Sequence, residues 1–76
     1  MYVGLIEFLN DIFRSGRNAQ IEYMGTDRDG KGYAIITEKI KTITHDCVIL
    51  AGKREVCIPY HAICRVEGIT DEERKI

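Results

Sequence analysis

The apolar residues of this chain change period once, and that change limits the fold it can adopt. Leu5, Ile6, Phe8, Leu9, Ile12 and Phe13 recur at steps of three and four, leaving Glu7, Asn10, Asp11 and Arg14 on the other side; this is the pattern of one amphipathic helix. Ser15 and Gly16 end it, because glycine takes the left-handed backbone of a helix C-cap at little cost and Arg14 suits the negative end of the dipole. A helix of about 12 to 14 residues is marginal alone in water, so it must dock on something. From Gln20 onward the segments QIEYM, GYAIITEKIKTITH, CVILAG, REVCIPY and AICRVEG are rich in Ile, Val, Thr and Tyr, and they are parted by GTDRDGKG, AGK and a proline. They read as five short strands, the second too long to stay straight.

A helix followed by five strands in 76 residues is too small for a two-sheet sandwich. The expectation is a mainly β fold with one N-terminal α-helix, built as a small, strongly bent, five-stranded open barrel. One domain is expected over residues 1–70, with the helix at about 2–14, the strands at about 20–68 and a charged tail at 71–76. A chain this short buries a limited share of its surface, which predicts self-association. The stretch GTDRDGKG is turn chemistry. Asp27, Asp29, Gly32 and Glu38 fit four positions of a calcium-binding loop, but Lys31 stands where a ligand belongs, and the flanks read as strands instead of helices. A solvated hairpin turn is the expectation there.

Charge and cysteine content narrow the function. The formal net charge is -1, and without residues 71–76 the chain has nine acidic and nine basic residues, so it is not a generally basic nucleic-acid binder and any cationic surface must be local. The apolar segment 3–13 is too short to span a bilayer and lacks a secretory signal's basic start, which predicts a cytoplasmic protein that does not enter a membrane. Three cysteines are an odd number without scaffold spacing, to be kept reduced. His45, Cys47, Cys57, His61 and Cys64 lie within 20 residues, and soft thiolates with imidazole suit zinc. No Cys-x2-Cys knuckle occurs, however, and alternation gives Cys57 and His61 one face and Cys64 the other. The preferred reading is buried cysteines in a barrel wall, with no metal or other cofactor; a small metal-binding protein using Cys57, His61 and Cys64 is the rival. No nucleophile with a paired base, carboxylate dyad or phosphate loop is present, so no enzyme is expected.

Four patches in order, FLNDIFRSGR, IEYMG, HDCVIL and YHAICRV, resemble the bacterial Hfq-like branch of the Sm-like RNA-binding proteins over roughly residues 5–68. Phe8-Leu9-Asn10 matches that family's helix, Asp46 with Val48, Ile49 and Leu50 the end of its first signature, and His61-Ala62-Ile63 the start of its last strand. The resemblance implies a bent barrel whose outer strands pair between neighbours to close a ring, usually of six subunits. It also implies binding of single-stranded U-rich or A-rich RNA, in the service of riboregulation. His61, Tyr60 and Asp46 are then the candidate RNA contacts near the pore, with Arg14 and Arg17 at the outer rim.

The chain departs from the family where binding is concerned. Pro59-Tyr60 replaces a tyrosine-lysine pair, the glutamine and aromatic that follow the aspartate are missing, and Leu5 stands in place of a helix glutamine. These changes remove a cation and a stacking ring, which predicts weak binding with a shallow salt dependence. Each candidate also has a structural reading: Tyr60 as a half-buried strand residue, Arg14 and Arg17 as a helix cap and a solvated charge, Asp46 as a turn-former. Pro59 favours a strand break that sets His61 at a rim. The alternative to RNA binding is a structural or regulatory homo-oligomer.

Overall fold

Helix α1 (Val3–Ser15) opens the computed structural model of the chain, which describes residues 2–25 and 33–70. It stops as expected: Gly16 has φ 75° and its N–H donates to the Phe13 carbonyl, a left-handed conformation that a Cβ would strain. Lys39 reinforces the same end, its Nζ donating to the Gly16 carbonyl at 2.7 Å, so a cation meets the negative pole of the helix. Only the centre of the apolar stripe is covered. Leu9 and Ile12 are fully enclosed and Leu5 and Ile6 pack in part, but Phe8 and Phe13 remain 44% and 46% exposed. At 100° per residue these two flank the buried line on opposite sides, and a helix resting on one sheet does not bury both flanks.

Five strands follow: β1 (Asn18–Met24), β2 (Tyr33–Ile43), β3 (Cys47–Ala51), β4 (Glu55–Pro59) and β5 (Ile63–Ile69), with a single turn of 3-10 helix, Tyr60–Ala62, between the last two. All pair antiparallel in one sheet of order β4-β3-β2-β1-β5. Alternation sends Ala19 and Ile21, Val48 and Leu50, and Ile58 inward, where they meet Ile40, Tyr60, Leu9 and Ile12 in one core.

The sheet is open: no pairing joins its outer strands β4 and β5 among the described residues. Yet these strands are consecutive in the chain. From Pro59 to Ile63 the backbone reaches at most about 14 Å, whereas a flat sheet of five strands is about 19 Å wide, so the sheet must curl to bring that end of each edge together. Two bulges permit the curl. Lys41 is left over where the β2–β3 register jumps from Ile40↔Leu50 to Thr42↔Ile49, and Cys64 where the β1–β5 register jumps from Glu22↔Arg65 to Tyr23↔Ile63. An extra residue on one strand bends it and increases its twist. The long second strand therefore bends at Lys41.

One expectation is corrected here. The cysteines are not buried in a wall: Cys47 is half-buried, and Cys57 and Cys64 are exposed. The reason is strand parity, since Val48, Leu50 and Ile58 take the inward positions and leave Cys47 and Cys57 facing out, while Cys64 is at a bulge. The GTDRDGKG turn beyond Gly25, with its calcium-like pattern, and the charged tail 71–76 lie outside the described residues. Among those described, no helix is long and apolar enough to cross a membrane.

Candidate functional site

Two turns meet at one corner of the curled sheet, and Tyr60 binds them together. The turn from β2 to β3 is closed by the Thr44 N–H donating to the Cys47 carbonyl at 2.9 Å and by the Cys47 N–H donating to Thr44 Oγ1 at 3.0 Å. The Thr44 carbonyl accepts the Tyr60 hydroxyl, and the Tyr60 N–H donates to the Asp46 carbonyl at 3.1 Å. Thr44 Oγ1 in turn donates to Asp46 Oδ1 at 2.9 Å. The β4–β5 turn is thus fastened to the β2–β3 turn at two points, and the Asp46 carboxylate braces its own turn.

Tyr60 is 2% exposed, and its ring lies 5.8 Å from that of Tyr2, just ahead of α1. Burial raises its hydroxyl pKa, with the neighbouring Cys47 and Asp46 adding to the effect, so it stays a neutral donor. The expectation that Tyr60 faces a pore beside His61 is therefore corrected: its ring is core and its hydroxyl is committed to Thr44. His61 is exposed on the 3-10 turn, as are His45 and Asp46 on the adjoining one. In the sequence His45 stands out only as a member of the cysteine and histidine cluster, not as an RNA contact, and the tether through Tyr60 is what brings it to the corner.

Arg14 and Arg17 lie elsewhere. They follow the far end of α1, with Arg14 about 18 Å along the helix axis from Tyr2. Arg17 is half-buried; its Nε donates to Ser15 Oγ at 2.9 Å, and its guanidinium lies so close over Gly68 that a Cβ there would come within 2.9 Å of Cζ. Arg14 is exposed and lines a shallow, solvent-open hollow with Glu7, Asn10 and Asp11, so two carboxylates offset its charge. Lys39 joins this end through Gly16, a cation that sequence spacing placed 23 residues from the helix end. The predicted contacts thus form two groups, Asp46, Tyr60 and His61 at one corner and Arg14 and Arg17 at the other end of the helix.

Among the described residues, no three His, Cys, Asp or Glu side chains gather as a metal site. Cys57 and Cys64 lie on β4 and β5, the two different edges of the sheet. The chain matches no family model, no curated protein and no solved structure.

Proposed function

We propose that the chain is a self-assembling, Hfq-like module that binds single-stranded RNA without catalysis. The observation that supports this most is the position of β4 and β5, consecutive strands on opposite edges of a curled sheet. Unpaired edges are templates for another chain. Pairing of β4 in one copy with β5 in the next is a head-to-tail contact, which closes into a ring when the rotation per subunit allows it. Every subunit then sets its Asp46 and His61 corner on the same face, and repetition turns one modest imidazole contact into several. Unpaired bases, U-rich or A-rich, are the ligands such edge-reading groups suit.

Binding on this reading is weak. The buried Tyr60 offers no platform for stacking, and Arg14 is offset by Glu7 and Asp11. The same burial favours the second reading, a structural or regulatory homo-oligomer that does not bind RNA. Light scattering at micromolar concentration followed by titration of labelled U-rich and A-rich oligonucleotides at low salt separates the two. The expected result is a closed oligomer whose RNA affinity is lost in His61→Ala while assembly is unchanged. A stable monomer overturns the ring, and an oligomer that binds neither oligonucleotide leaves the structural role.

A further inference from the structure

Next to the corner, Cys47 on β3 and Cys57 on β4 bring their side chains into direct contact. Their strands pair with Cys47 opposite Pro59 and Ile49 opposite Cys57, so the two cysteines are diagonal neighbours on the outward face. The right-handed twist of paired strands draws one diagonal together. The two Sγ atoms lie 2.8 Å apart, inside the roughly 3.5 Å at which unbonded heavy atoms rest and within about 0.8 Å of a disulfide bond length. Neither sulfur is enclosed, since Cys57 is exposed and Cys47 half-buried.

We propose that Cys47 and Cys57 form a redox-active dithiol that a small-molecule disulfide converts to a cross-strand disulfide bond. The inference stands on the hairpin alone and does not depend on RNA binding. Cys57 Sγ donates its hydrogen to Cys47 Sγ, so Cys57 is the donor and Cys47 the acceptor of the pair, and Cys47 is assigned the first attack. The Cys47 thiol loses its proton and attacks one sulfur of the small disulfide, forming a mixed disulfide and releasing one small thiolate, which takes up a proton. Cys57 then loses its proton and attacks Cys47 Sγ, displacing the second small thiol. Two protein thiols are oxidised by two electrons, and one small disulfide is reduced to two thiols. Among the described residues Cys64 has no thiol within contact, and its sulfur lies 4.0 Å from the Ala62 carbonyl. It therefore stops at the mixed-disulfide stage.

The experiment treats the full-length protein with graded oxidised glutathione, alkylates the remaining thiols under denaturing conditions and maps the peptides by mass spectrometry. The expected product in wild type carries a Cys47–Cys57 link with no glutathione on either residue, reverses with dithiothreitol, and forms equally in Cys64→Ser. Cys47→Ser and Cys57→Ser should instead accumulate glutathione on the remaining partner. Stable glutathione adducts on both Cys47 and Cys57 in wild type would overturn the proposal, as would a bond found only between chains. The wild-type map decides the question even if a serine variant does not fold.

Discussion

The Tyr60 hydroxyl donates to the Thr44 carbonyl, sixteen residues earlier in the chain. This contact, with the Tyr60 N–H on the Asp46 carbonyl, holds the β4–β5 turn against the β2–β3 turn. Tyr60→Phe keeps the buried ring and removes only the donor, leaving a carbonyl without it, so it should cost about 1–2 kcal/mol. Tyr60→Ala also empties part of the core and should cost about 3–5 kcal/mol. Urea denaturation at one fixed protein concentration measures both. Equal stability of Tyr60→Phe and wild type would show that the tether contributes nothing.

Alkali should act on the same residue. Burial raises the Tyr60 pKa, which means that the folded state retains a proton the unfolded state releases. Its contribution is fully present below the unfolded value of about 10 and is lost as pH rises from there through the folded value. Wild type should therefore lose stability above about pH 10 more steeply than Tyr60→Phe, because the other alkaline groups are common to both. Parallel curves would refute this assignment.

Cys57 gives a second pH-dependent readout. Its thiol is pushed up to about 11, chiefly by the hydrogen bond to Cys47, then by desolvation and the charges of Cys47 and Asp46. Replacing Cys47 with alanine removes the first and largest cause. Iodoacetamide labelling of Cys57 at pH 8 should then be roughly 10- to 100-fold faster than in wild type, following the thiolate fraction. An unchanged rate would mean that the sulfur pair does not hold that proton.

Two glycines should fail for different reasons. Gly16 has φ 75° and open space where a Cβ would be, so Gly16→Ala should cost about 1–2 kcal/mol from backbone conformation alone. At Gly68 a Cβ would meet Arg17 Cζ at 2.9 Å and Ile12 Cγ1 at 3.2 Å. Gly68→Ala should displace the Arg17 side chain, and Gly68→Ala combined with Arg17→Ala should be closer in stability to Arg17→Ala alone than additivity predicts. A thermal-denaturation cycle measures the coupling, and strict additivity would exclude the contact.

The helix and the run of five strands that follows it were legible in the sequence because their causes are local. The stripe from Leu5 to Ile12, the stop at Gly16 and the β-branched runs depend on side-chain period and backbone preference, which act between near neighbours. The break at Pro59 likewise placed His61 on a turn. Residue parity also held the outward placement of Cys47 and Cys57, since Val48 and Ile58 claim the inward positions, though buried wall cysteines were expected. What tertiary structure alone decided was which turns meet. Nothing near Tyr60 in sequence announces Thr44 as its acceptor, and nothing near Gly16 announces Lys39. Parity counted along a straight strand also fails at Cys64, where a bulge shifts the register, and at His61, where the chain turns. Such contacts are set by how the sheet curls, and the curl comes from strand order, two bulges and a three-residue connection acting together, not from any one segment.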